Sequence, residues 1–287
     1  ANVSAISNVA TCTTAALGNM PVVTTMSIVE KDGVTTNNYP LTLSMGFAKG
    51  DVASNVTVRA SGLVLPTQTD VKVHWGDGSV RHALVSFIIP QLQAGQTQTI
   101  EFLAGGTNYT GGWVTKDQLL ASDFEAQMAM TYGSLPATVS ARQILQGLSS
   151  VEYWIKGGIC TEFVIRDYSQ RAFGQLTVSY RVRVYPSVNA IRVSTVVDNT
   201  WIDARGNITY DFALSLGRST PQVVFSKTGF TQWHDSRWHK IFWQGQAPST
   251  VETRYNLAYW IKGGFLPNYD PSLVVPTSAV TNTFSNG

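Results

Sequence analysis

The chain has 287 residues, 44% of them hydrophobic, enough for one large β domain or two smaller ones. Only 13% are charged, about half the usual globular share, and Ser, Thr, Asn, Gln and Gly fill the difference. A net charge of +2, with no Lys/Arg run longer than two residues, argues against nucleic acid as a partner, and no apolar run approaches the roughly 18 residues of a membrane-spanning helix. A neutral, hydroxyl-rich surface of this kind suits an extracellular or virion protein.

Residues 1–38 are polar and small, with weak periodicity, and read as an N-terminal arm that could pack on a neighbouring subunit. The chain opens on Ala1 without Met, which fits removal of an upstream segment. Cys12 in this arm and Cys160 in the second half are the two cysteines. A disulfide between them and two free thiols are both compatible with the sequence. Two cysteines this far apart, without clustered His, do not make a metal site.

Residues 39–112 read as a first β domain. Leu41, Leu43 and Met45 alternate with Thr42 and Ser44, and Val56, Val58 and Ala60 alternate again. The centre is Val71 to Pro90. Val71, Val73 and Trp75 precede Gly76-Asp77-Gly78-Ser79, a structural turn of residues that tolerate positive φ. After it, Val80 to Ile89 is almost wholly apolar, as expected of a strand buried on both faces. Asp77 is read as bonding turn amides rather than as forming a site with His74 and His82.

Residues 113–150 read as a connecting segment with two short helices, Lys116–Ala129 and Ala141–Leu148. Residues 151–270 read as a second β domain. Its long strands are Tyr153–Asp167, Leu176–Tyr185 and Ala190–Val197, followed by Asn207–Leu216, Gln222–Ser226, Gln232–Gln244 and Arg254–Gly264. Residues 271–287 form a polar tail. The hexapeptide Tyr-Trp-Ile-Lys-Gly-Gly occurs at 153–158 and again at 259–264, as two equivalent strand ends finishing in a Gly-Gly turn would explain. The fold class is therefore all-β: two antiparallel β-sandwich or barrel-like domains with few short helices.

An ordered set of these segments resembles the N-terminal β domains of the exo-rhamnogalacturonan lyase group, including related phage-encoded modules. The set comprises Leu41 to Asp51, Leu63 to Gln68, His74 to Phe87, Ala94-Gly95-Gln96 and Leu176 to Asn199. The resemblance implies a RIFT-barrel-like first domain and a carbohydrate-linked setting. In that family these domains are accessory and catalysis belongs to a helical toroid. Nothing in this sequence resembles the toroid, so no catalytic residue is carried over.

Thr231 to Gln244 is the densest chemical stretch. It offers Trp233, His234, Asp235, Arg237, Trp238 and Trp243 as a glycan-binding set, with indoles stacking on sugar faces and charged groups bonding hydroxyls. Aromatic core packing is the competing reading. A lyase would instead use Arg237, His239 and Tyr255, with His239 as general base. Arg166, Arg171, Arg181 and Arg183 add a modest basic surface, open to acidic glycan or to cross-strand ion pairs. Two functions follow. One is a non-catalytic structural or attachment module of an extracellular or virion assembly, a homo-oligomer or larger, with a polysaccharide-facing surface. The other is a polysaccharide lyase acting by β-elimination, or an accessory domain of one. Neither calls for a cofactor.

Overall fold

The computed structural model describes residues 20–200 and 206–267. Seventeen strands and three short α-helices among them make an all-β chain of antiparallel sheets.

Two sheets enclose the first core. One runs β17-β1-β7-β3-β4, where β1 is Val22–Glu30, β3 Val56–Ala60, β4 Leu63–Leu65, β7 Thr97–Ala104 and β17 Val251–Tyr255. The other runs β2-β6-β5, with β2 Thr36–Gly46, β5 Gln68–His74 and β6 Val80–Leu92. Met26, Ile28, Leu43, Val58, Val85, Phe87, Ile100, Phe102 and Val251 meet between them. The arm expected over 1–38 is in part β1, a strand paired on both sides, with β7 and with β17. Its periodicity is weak in sequence because its buried row, Thr24, Met26, Ile28 and Glu30, is half polar. The Glu30 carboxylate earns its burial by accepting the amides of Gly95, Asp32, Gly33 and Val34 at 2.6–3.3 Å, and the Gly95 amide above all holds its pKa below the usual carboxylate value.

The second core lies between a sheet ordered β10-β11-β12-β13-β16 and one ordered β15-β14-β8-β9. The first comprises β10 Glu152–Lys156, β11 Thr161–Arg166, β12 Thr177–Tyr185, β13 Ala190–Asn199 and β16 Ser236–Gln244. The second comprises β8 Ala126–Tyr132, β9 Leu135–Ser140, β14 Ile208–Leu216 and β15 Gln222–Gln232. Helices α1 (Lys116–Ala121) and α2 (Ala141–Gly147) add Leu119, Ile144 and Leu145 to that core. The segment 113–150 is thus built into the second sandwich rather than connecting two domains. The helix expected over 116–129 ends at Ala121, because Met128 and Met130 serve as every-second-residue core positions of β8.

Three further strand expectations divide. Tyr153–Asp167 is the hairpin β10–β11. Gln232–Gln244 is broken by a turn at Trp233–Asp235, with Asp235 at φ 57°. Arg254–Gly264 is the end of β17 followed by α3 (Leu257–Lys262), capped by Asn256 Oδ1 accepting from the Tyr259 amide at 3.1 Å. The two copies of the hexapeptide therefore differ: the first is strand and turn, the second helix. Tertiary contacts decide between them. At Gly157 a Cβ would stand 2.3 Å from the Gln68 side chain, so the first copy needs glycine for close approach. In the second copy Gly264 has φ +71° and ends the helix in the left-handed region.

The turn at Gly76–Ser79 joins β5 to β6. The Trp75 amide donates to the Ser79 carbonyl at 2.8 Å, the Gly78 amide to the Trp75 carbonyl at 2.9 Å, and the Ser79 amide to Asp77 Oδ1 at 3.0 Å. Strand β6 is buried on both faces. Val85 and Phe87 face the first core, while Leu84 and Ile88 meet Ile155, Cys160, Tyr185 and Trp243 of the second sandwich. Gln68 ties this seam. Its Oε1 accepts the amides of Ile159 and Cys160 at 3.0 Å and its Nε2 donates to the Cys160 carbonyl at 3.0 Å. Cys160 is a buried thiol, and burial pushes its pKa up to about 11. Cys12, the other cysteine of the disulfide that the sequence leaves open, lies outside the described residues, as does the tail 271–287.

Candidate functional site

The five-stranded sheet β10-β11-β12-β13-β16 buries one face in the second core. Alternation sends the other row to the opposite face, one end of which, at Ile155, Tyr185 and Trp243, is covered by Leu84 and Ile88 of β6. On β12, Tyr180, Val182 and Val184 pack inward while Arg181 and Arg183 point out. On β13, Val193 and Val197 pack inward while Arg192, Ser194 and Val196 point out. The β12–β13 connection is one 3₁₀ turn over Pro186–Val188, followed by Asn189 at φ 48°. That tight reversal sets the register and places Arg183 directly opposite Arg192.

The outward row lines a hollow of about 380 Å³, formed by Trp154, Glu162, Arg181, Arg183, Arg192, Ser194, Val196, Arg237, His239 and Ile241. Val164, opposite Arg181, helps to line a second hollow of about 250 Å³ with Glu152 and Arg166. Directly opposed residues share a face, so the two hollows are neighbours along the sheet.

Charge on this face is unevenly paired. Glu162 is buried and bonds Arg183 Nε, with Arg181 at 3.8 Å. Burial opposes the Arg183 charge, but Tyr185 and Glu162 outweigh it, and its pKa lies above the ordinary value. Arg237 donates to Asp198 through Nε at 2.6 Å. Arg192 makes no hydrogen bond or ion pair with any described residue, and burial followed by Arg183 lowers its pKa. His239 Nε2 lies 2.8 Å from Ser194 Oγ; burial first, then Arg192, Arg237 and Arg181, hold its pKa below that of an ordinary imidazole. Trp154 is 39% exposed, with Lys72 Nζ over its ring at 4.7 Å and the Arg181 guanidinium over it at 5.5 Å from the centroid.

The set read from 231–244 is dispersed. Of its members only Arg237 lines the hollow. Trp238 faces the core, 5.1 Å from Phe212 and 5.5 Å from Phe225 between ring centroids, so it is no glycan platform. Trp243 stacks on Tyr185 at 6.1 Å in the seam, so it is none either. Trp233, His234 and Asp235 occupy the turn before β16; Trp233 is 66% exposed, and His234 Nδ1 lies 3.3 Å from Asp235. The alternative catalytic trio is not assembled. Arg237 and His239 share one face of β16, but Tyr255 pairs with Met26 in the first sandwich and lies 4.6 Å from Trp260 between ring centroids.

Sequence reasoning missed Trp154, Arg192, Ser194 and Glu162. Alternation of Arg181, Arg183 and Arg192 about a Pro-bearing turn was the available signal. Among the described residues no cluster of three or more His, Cys, Asp or Glu could hold a metal ion, and no helix is long and apolar enough to cross a membrane. No protein-family model matches the chain, and no curated protein matches it.

Proposed function

We propose that this protein is a non-catalytic module, a structural or attachment component of an extracellular or virion assembly, which turns the outer face of its second sandwich toward a glycan. The observation that carries the reading is that open face itself, where Trp154 stands beside guanidiniums in a shallow polar hollow. A part-exposed indole with hydrogen-bonding cations beside it suits sugar rings, which have an apolar face and a polar rim. Low charge over the rest of the chain and the resemblance of residues 41–200 to accessory lyase domains support the same setting. A Ser–His contact by itself does not argue for catalysis here. Ser44 Oγ and His82 Nε2 make the same 2.8 Å contact on the first sandwich.

The test is a glycan array probed with the purified protein and with Trp154→Ala. Binding to a subset of glycans, lost in the variant, is expected; an array blank for both sinks the glycan-facing surface. Sizing at high concentration should show an oligomer, and a strict monomer would count against a role in an assembly.

A lyase remains the second reading, favoured by a neutral imidazole among guanidiniums, an arrangement that suits proton removal next to a carboxylate. Ultraviolet absorbance from an unsaturated uronate product, present with the wild type and absent with His239→Ala, would establish it.

A further inference from the structure

The outer face holds more positive charge than its own carboxylates neutralise, and this inference rests on reading that face as the binding surface. Glu162 and Asp198 are the acidic groups paired there, and they take up Arg183, Arg181 and Arg237. Arg192 is left over. It is half-buried and stands across from Arg183, at the spacing where like charges on adjacent strands destabilise a sheet. Folding gains nothing from a desolvated cation facing another cation. The arrangement becomes favourable once a negative group lies between the two guanidiniums, since charge-assisted bonds to an oxyanion are short and strong and Arg offers a planar fork of donors. Ser194 and His239 lie on the same floor and share one hydrogen bond, which leaves further polar capacity toward the hollow.

Trp154 decides what carries the anion. A free inorganic ion has no use for an exposed indole at the edge of the hollow. A charged sugar ring uses both, laying its apolar face on the indole and its charge on the arginines. Nucleic acid is disfavoured by the small net charge and by the two carboxylates on the same face.

We propose that Arg192, set against Arg183, anchors a carboxylate or sulfate ester borne on a saccharide ring that rests on Trp154. The ligand is an acidic oligosaccharide, and Arg192 is the residue that separates it from neutral ones.

The experiment compares dextran, dextran sulfate and polygalacturonate by calorimetric titration, with sodium sulfate and a DNA oligonucleotide as further arms. The proteins are the wild type, Arg192→Met, Arg192→Lys and Trp154→Ala. Dextran sulfate or polygalacturonate should bind and dextran should not, and whichever binds identifies the anion. Arg192→Met should weaken that binding by about tenfold or more, Arg192→Lys by less, because a charge-assisted contact is lost outright only in the first. Without ligand, Arg192→Met should melt at the wild-type temperature or above it, since it removes a part-buried cation that bonds no carboxylate and stands opposite Arg183.

Equal binding of dextran, or unchanged acidic-polymer binding by Arg192→Met, overturns the anchor and leaves a glycan surface standing. Sulfate binding that depends on Arg192, with no polymer bound, overturns the glycan reading and with it the saccharide carrier proposed here. A lower melting temperature for both Arg192 variants with unaltered binding makes Arg192 a structural cation and overturns the proposal. DNA bound more tightly than either acidic polymer overturns it as well.

Discussion

His239 sits among Arg181, Arg192 and Arg237, and burial together with these charges sets its protonation. Its pKa in the folded chain is depressed, chiefly by burial and then by those guanidiniums. The unfolded chain therefore binds the proton more readily. The linked stability is present above the ordinary imidazole pKa of about 6.5 and is lost as the pH falls through the lower folded value. Melting temperatures measured from pH 7.5 to pH 5 should accordingly fall less for His239→Gln than for the wild type. An identical slope for the two proteins would show that folding leaves the His239 pKa unshifted. The same sign gives a binding prediction: protonation adds a cation to the face, so an acidic ligand should bind more tightly at pH 5.5 than at pH 7.5.

At the scale of elements, the seam depends on one amide side chain. Gln68, carried on β5, satisfies two amides and a carbonyl of the turn between β10 and β11. Truncation leaves those groups buried and unpaired, at roughly 1–3 kcal/mol for each that water cannot reach. Gln68→Ala should lower unfolding stability by roughly 2–4 kcal/mol in denaturant titration, and Gly157→Ala should act in the same direction because its methyl would enter the Gln68 side chain. A Gln68→Ala protein as stable as the wild type would place the strength of the seam elsewhere. The elements themselves were legible where one periodicity ruled. Val80 to Ile89 and Leu176 to Tyr185 are strands because each has an apolar row that no helix could bury on one side. The 153–158 and 259–264 copies mark where that legibility ends: six identical residues become strand beside Gln68 and helix behind Asn256. The site was half legible for a related reason. Arg181 and Arg183 alternate visibly, but the opposition of Arg183 to Arg192 is a fact of register. Trp154 joins them only because β10 returns to lie next but one to β12. Trp238 and Trp243 looked like platforms because indoles look alike in sequence whichever way a strand turns them.

At the scale of the molecule, the two sandwiches are not successive beads. Strand β17 follows the whole second sandwich, yet it pairs with β1 and places Val251 in the first core. A fragment of residues 20–112 should therefore fold poorly, with an unpaired β1 edge and an uncovered core. A version with residues 249–267 joined behind it through a flexible linker should recover a cooperative unfolding transition and dispersed amide resonances. If the shorter fragment already gives both, β17 is an ornament of the first sandwich and not part of its closure.

That late strand also sets an order of events during synthesis. On the ribosome, β1 to β7 emerge first but lack their sealing strand until more than a hundred further residues have been made. The later-encoded half has all of its own strands before Val251 appears, so it can condense while the earlier half is still open. The nascent chain thus finishes from the middle outward, and a translational pause anywhere between β7 and Val251 would prolong exposure of the β1 edge.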